Sequence, residues 1–272
     1  MNRNLPEYDR SAGVVLFLDG KPTMAFCHFL MGADTYDDDR SAFFVAYQYE
    51  FGLGIPQNFA KAYEYYIGCS DADEGEAAYN LAILHHYGLG TTRNLRRFLE
   101  WMEKSAELGC IEAQLYMAGA YLGGYLNPPS VFAVTLLPFH RAIYETPIPL
   151  LGGNVSEFEE AERASLIMAS ESDAVRMLTL AASHEEEYAG RFLGDAKFIL
   201  AQTYFEGFAR ENLAESGFEI DRRTGEKLLY EAAVLHGNPD ANRYIAAHNG
   251  EFLLPELCRF LSLNPPPKPP KD

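Results

Sequence analysis

Positive charge is scarce in this sequence: 22 Lys and Arg stand against 39 Asp and Glu, a formal net charge of −17. Phosphate chains are bound through Lys and Arg, so this balance argues against nucleic acid as a partner and favours a basic or cationic protein. Cysteine is also scarce, and Cys27, Cys69, Cys110 and Cys258 are scattered with no CxxC pair. That spacing argues against a zinc or disulfide framework and leads us to expect reduced thiols in a cytoplasmic protein. No apolar run approaches the roughly 20 residues that a membrane-spanning helix needs. Behind the opening MNRNLPEYDR, the apolar segment from Val14 to Leu18 stops at Asp19 and is too short for an export signal.

Catalytic motifs are lacking as well. No GxSxG, GxxxxGK or paired-carboxylate pattern occurs. His85 and His86 are adjacent, and adjacent residues on a helix point roughly 100° apart, whereas ligating pairs sit three or four apart. His184, followed by Glu185, Glu186 and Glu187, reads as a solvated acidic turn at a helix end. His140 has no Ser, Cys or Asp motif beside it, and Gly152-Gly153-Asn154 reads as a turn. The expectation is a protein with no catalytic residue, no metal and no cofactor.

What the sequence does have is repetition. AFFVAYQYEFGLGIPQNFAKAYEYYIGCSDAD, AYNLAILHHYGLGTTRNLRRFLEWMEKSAELG and AQLYMAGAYLGG align without gaps in register. Ala46, Ala82 and Ala118 are spaced by 36 residues, as are Gly52, Gly88 and Gly124; Gly54 with Gly90 and Tyr65 with Trp101 repeat the interval. Two helical patterns per period signify stacked helical hairpins, since a lone hairpin cannot bury its apolar face. The alanines let the first helix of each unit approach its neighbours. The glycines end that helix, and the aromatic residue on the second helix is expected to fill the space between hairpins.

YNLAILHHYGLG followed by RRFLEWMEKSAELG resembles the Sel1-like repeat, a relative of the tetratricopeptide repeat, and YEFGLGIPQNFAKAYEYY resembles it equally, including the GxG-aliphatic-x-x-(Asn/Asp) loop. The resemblance implies an all-α fold, a right-handed α-solenoid of stacked helical hairpins used for protein–protein assembly. Secreted members discussed as β-lactamases or penicillin binders carry a disulfide within each repeat. Each unit here has at most one cysteine in the aligned region, so that enzyme reading does not transfer.

Residues 1–40 are expected to form an N-terminal cap or degenerate repeat, and 41–250 the array, with an insertion at about 126–170. The second helix of the third unit then begins only near Ser172. A fourth unit starts at Asp195 and ends near Asn238, and DANRYIAAHNG opens a fifth. A capping helix over 251–263 and an extended Pro-rich tail over 264–272 complete the chain. Within the opening segment, GVVLFLDGKPTMAFCHF reads either as a β-hairpin turning at Asp19-Gly20 or as containing a helix over 22–33 with Pro22 in its first turn; the helix is preferred.

In solenoids of this kind the first helix of each unit lines the concave face and the second forms the convex wall. Helical periodicity then places Phe43, Tyr47, Glu50 and Phe51 on the concave face in the first aligned unit. Glu76, Tyr79, Ile83, His86 and Tyr87 follow in the second, Glu112 and Leu115 in the third, and Asp195, Phe198, Gln202, Phe205 and Glu206 in the fourth. About half of these are expected to be accessible, the others packing against the next hairpin. Interleaved aromatics and carboxylates suit an extended segment bearing Lys or Arg. The function expected is a non-catalytic scaffold or adaptor. Its alternatives are an immunity-type inhibitor of a basic toxin or nuclease and, more distantly, a hydrolase completed by the insertion.

Overall fold

The computed structural model describes residues 5–69, 75–123, 171–184, 186–206, 221–248 and 252–257. The insertion, His140, Gly152-Gly153-Asn154, Cys258, the remainder of the expected capping helix and the Pro-rich tail lie outside them. Among the described residues every regular element is helical and no strand occurs. The helices are α1 (Leu5–Leu18), α2 (Pro22–Tyr36), α3 (Asp39–Phe51), α4 (Phe59–Cys69), α5 (Gly75–Tyr87), α6 (Leu95–Glu107) and α7 (Ile111–Gly123). They continue as α8 (Glu171–Ala182), α9 (Glu186–Glu206), α10 (Arg222–Tyr230) with a π-helical turn Glu231–Leu235, and α11 (Pro239–Ala247). Two compact units result, the first ending at Ala113 and the second beginning at Gln114.

In the first unit each helix packs on the next, from α1 through α6, so three hairpins are stacked in chain order. The repeat period is written into the caps. Asp38 caps α3 by accepting from the Ser41 amide at 3.0 Å, and Asn94 caps α6 by accepting from the Arg97 amide at 3.0 Å. Asn58, 36 residues before Asn94, accepts from the Lys61 amide at 3.1 Å at the start of α4. The connecting loops are equally repetitive: the Asn58 amide donates to the Tyr49 carbonyl at 2.8 Å, and the Asn94 amide to the His85 carbonyl at 2.9 Å. Gln57 Nε2 donates to the Glu50 carbonyl at 2.8 Å, and Arg93 Nε, one period on, donates to the His86 carbonyl at 3.0 Å.

Gly54 and Gly90 set how closely the hairpins stack. Both have positive φ, 77° and 68°. A Cβ at Gly54 would strike the backbone of Pro22 and Thr23, and one at Gly90 the backbone of Phe59 and Ala60. Each loop therefore lies against the N-terminus of the preceding hairpin's second helix. Thr23 Oγ1 donates to the Gly54 carbonyl at 2.8 Å, and Gln48 Nε2 bridges the carbonyls of Pro22 and Leu53 at 2.8 and 2.9 Å. Since α2 meets Gly54 as α4 meets Gly90, α1 and α2 form a further hairpin of the same stack. The Asp19-Gly20 turn thus joins two helices and not two strands, with Pro22 at the first turn of α2.

Ala46 and Ala82 are fully buried, and so is a second row of small residues at the same interval, Ser41, Ala77 and Ala113. The aromatic that fills the space between hairpins differs from the one expected. Tyr65 and Trp101 are only half-buried, whereas Tyr66 and Met102, one residue later, are 0 % and 1 % exposed. The rotation of about 100° per residue explains the change, because the later position is the one turned onto the first helix of the hairpin.

In the second unit α9 packs on α8, on α10 and on the π-helical turn. Its core gathers Ala201, Leu229, Ala232, Ala241, Ile245 and Leu257. Glu186 and Glu187 lie within α9, so this part of the acidic run expected as a turn is helical, and Glu185 lies outside the described residues. His184 is half-buried, with Nε2 hydrogen-bonded to Gln114 Oε1 at 2.9 Å.

Gly90→Ala and Ala82→Leu should each lower the melting temperature, the first through strain at positive φ and the second through overpacking worth about 1–3 kcal/mol. Gly68→Ala, on α4 with open space at its Cβ, should not. Thermal denaturation followed by circular dichroism checks this; equal shifts in all three variants would contradict the stacking described.

Candidate partner-binding face

The first helices of successive hairpins place side chains in rows one period apart. Positions 40, 76 and 112 carry Arg40, Glu76 and Glu112, and positions 43 and 79 carry Phe43 and Tyr79. Between α1, α3, α5 and the start of α7 these rows enclose a cavity of about 200 Å³. Val14, Phe17, Phe29, Phe43, Phe44, Tyr47 and Tyr79 wall it, and Arg40, Glu76, Asn80, Cys110 and Glu112 contribute its polar groups. Two carboxylates and one guanidinium thus line the same cavity. Arg40 lies 3.5 Å from Glu76 and holds its guanidinium 5.3 Å from the Phe43 ring centre. Glu112 Oε2 accepts from the Cys110 thiol at 3.2 Å.

Burial dominates the electrostatics here. It raises the Glu112 carboxyl above its ordinary range, and the negative charge of Glu76 adds to the effect. Burial likewise pushes the Cys110 thiol well up, with Glu112 contributing, so Cys110 is a thiol and not a reactive thiolate. The Tyr47 hydroxyl is raised by burial and then by Glu50, and stays protonated. Nothing in this set supplies an activated nucleophile. Among the described residues no group of three or more His, Cys, Asp and Glu side chains could hold a metal ion. No described helix is long and apolar enough to cross a membrane.

The residues expected on this face fall into four sets. Glu76, Tyr79 and Glu112 line the cavity and remain partly accessible, and Ile83 and Tyr87 are also half-buried. Phe43 and Tyr47 line it as walls, at 5 % and 4 % exposure, and do not project from it. Glu50, Phe51, His86 and Leu115 are buried, which corrects the expectation that they face an open groove. Glu50 accepts from Tyr66 Oη at 2.7 Å, and Tyr66 Oη accepts from Asn80 Nδ2 at 2.9 Å, a polar network that reaches the cavity at Asn80. His86 packs 5.0 Å from the Phe98 ring, and Phe51 packs 4.6 Å from Tyr47. Glu50 bonds Tyr66 on α4 and His86 packs on Phe98 of α6, so each position meets the second helix of its own hairpin. His85 is buried too: its Nδ1 lies 3.5 Å from the Thr92 carbonyl and its Nε2 3.4 Å from Tyr63 Oη, and burial lowers its pKa, keeping it neutral.

The fourth set of expected contacts belongs to the second unit. Asp195 is half-buried and accepts from Asn238 Nδ2 at 2.6 Å, while Phe198 and Phe205 pack 6.0 and 6.1 Å from Tyr244 on that unit's own core. All three are half-buried and take part in contacts within that unit. Gln202 is half-buried, and the Glu206 side chain lies outside the described residues. Sequence reasoning missed Arg40, although the interval counted back from Glu76 points to it. It also missed Val14 and Phe17, for which the first hairpin's different loop length hides the register.

The model of the Sel1 repeat family matches residues 39–67 and 75–110, the segments that form α3–α4 and α5–α6. These two segments match the Sel1 repeat. Its structure is similar to that of a Sel1 repeat protein from Oxalobacter formigenes, with a TM-score of 0.62 and 18% identity over 91% of this chain and 56% of that one. Another similar structure is that of c5321, a protective antigen present in uropathogenic Escherichia coli strains displaying an SLR fold, with a TM-score of 0.41 and 19% identity over 94% of this chain and 51% of that one. The chain spans about half the length of these solved structures. At this identity the likeness to the Oxalobacter formigenes protein shows the fold alone. No curated protein sequence matches the chain. Sel1-like and tetratricopeptide-like stacks serve in general as protein–protein interaction scaffolds.

Two outcomes are expected of this face. His86→Ala should lower the melting temperature by emptying space beside Phe98, by about 1–3 kcal/mol, whereas Ile83→Ala at a half-buried position should cost less. Glu112 has a folded-state pKa above its unfolded one. Relative to a neutral side chain it therefore costs stability as pH rises from the ordinary carboxylate value of 4.5 through the folded value. Glu112→Gln should accordingly gain on the wild type as pH rises through that window and lose the gain as pH falls back. Paired pH series of thermal denaturation check the sign; a difference independent of pH would contradict the burial of this carboxyl.

Proposed function

We propose that the Sel1 repeats of the first unit form a non-catalytic binding face for an extended protein segment bearing Lys or Arg. The observation that carries this reading is the cavity between the first helices, where aromatic walls surround two carboxylates and one guanidinium, the latter paired with Glu76. Aromatic surface gives contact area at small entropic cost, and the excess carboxylate selects the sign of the guest. The net charge of −17 steers the same class of partner over longer range. Described Cys27, Cys69 and Cys110 are free thiols, which supports placing the protein in a reducing compartment such as the cytoplasm.

Titration of the full chain with a peptide of alternating Lys and Gly, beside its Glu–Gly counterpart, tests the reading. Calorimetry should show binding of the basic peptide alone, weakening at least about tenfold from low to high salt. Binding of neither peptide, or of both alike, would contradict it.

A further inference from the structure

We propose that the cavity on the first unit is an anchor pocket for one long cationic side chain, a Lys or Arg of the partner, building on the binding face just described. Size points to a single side chain. About 200 Å³ lies below the roughly 300–1,000 Å³ typical of sites for small molecules and cofactors. The walls are suited to a methylene stem, since Phe43, Phe44, Tyr47 and Tyr79 present ring surface and Val14 closes the α1 side. Aromatic faces also attract cations, and the protein already uses this in its own Arg40, whose guanidinium lies 5.3 and 6.0 Å from the Phe43 and Phe44 ring centres.

The polar groups select the head. Glu76 is shared with Arg40 at 3.5 Å, with both side chains over a third exposed, so this is a weak surface pair. Glu112 is half-buried, and its Oε2 accepts from the Cys110 thiol, a poor donor. A carboxyl held above its ordinary range by burial is restored by an arriving cation, and the ion pair so formed is the gain that a Lys or Arg guest obtains. A neutral aliphatic guest of the same length fills the walls and leaves both carboxylates without that charge. An acidic guest is repelled.

The test uses the full chain and three tripeptide probes, Gly-Lys-Gly, Gly-Arg-Gly and Gly-norleucine-Gly, each acetylated and amidated. Titrations are followed by NMR on the methyl groups of Val14 and Leu18, which line the cavity. The Lys and Arg probes should shift these signals and bind at least about tenfold more tightly than the norleucine probe, an added 1.4 kcal/mol. Glu76→Gln and Glu112→Gln should each erode that preference. Glu76→Gln, at a side chain 36 % exposed, keeps the experiment decisive if the Glu112 variant folds poorly. A norleucine probe that binds as tightly as lysine, or a lysine probe that leaves the Val14 and Leu18 methyls unmoved, overturns the anchor pocket. Should the alternating Lys–Gly peptide bind while the lysine probe gains nothing over norleucine, the binding face stands and the pocket falls. If neither the peptide nor the lysine probe binds, both fall.

Discussion

The approach of one hairpin's loop to the backbone of the preceding hairpin is the contact on which the first unit depends. At Gly54 and again at Gly90 there is no room for a side chain, and the loop lies directly on the start of α2 or α4. Backbone contact of this kind leaves little freedom in spacing. Once the loop is seated, the first helices of neighbouring hairpins are held at a fixed offset, and equivalent positions fall into rows. The alignment of Arg40, Glu76 and Glu112 in one row and of Phe43 and Tyr79 in another follows from that offset. The cavity is thus a product of the stacking and not a separate device added to it.

Buried polar groups then separate interior from face. Glu50, Tyr66 and Asn80 are joined by hydrogen bonds of 2.7 and 2.9 Å within the stack, and Gln48 satisfies the Pro22 and Leu53 carbonyls. Each bond compensates the desolvation of a group that would otherwise be costly to bury. Cross-links of this type tie α3 to α4 and α5, so side chains on the first helices are held by more than apolar contact. A binding face built on rigid helices can present its carboxylates and rings already positioned, which lowers the entropy lost on binding.

Much of this was legible in the sequence because the period of 36 residues marks positions where only a small residue or a glycine fits. Ala46, Ala82, Gly52 and Gly88 carried the fold that way. The opening hairpin was harder to read, since α1 runs on to Leu18 and a short turn replaces the GLG loop, which shifts the apolar pattern out of register. The face was legible only in part. Periodicity identifies which residues share a stripe, but a stripe is wider than the strip that stays open after packing. Glu50 and His86 looked like surface groups from their polarity, yet the first completes a buried network and the second packs on Phe98. Polarity alone does not distinguish a solvated carboxylate from one that has a tyrosine hydroxyl to bond.

The central claim is that the first helices of the stack, and not the second, meet the partner. Site-specific photo-crosslinking tests this most directly, with a benzophenone amino acid replacing half-buried Tyr79 on α5 in one protein and exposed Glu64 on α4 in another. Illumination with the alternating Lys–Gly peptide should yield a peptide adduct from position 79 and none from position 64. An adduct from position 64 with none from position 79 would contradict the account.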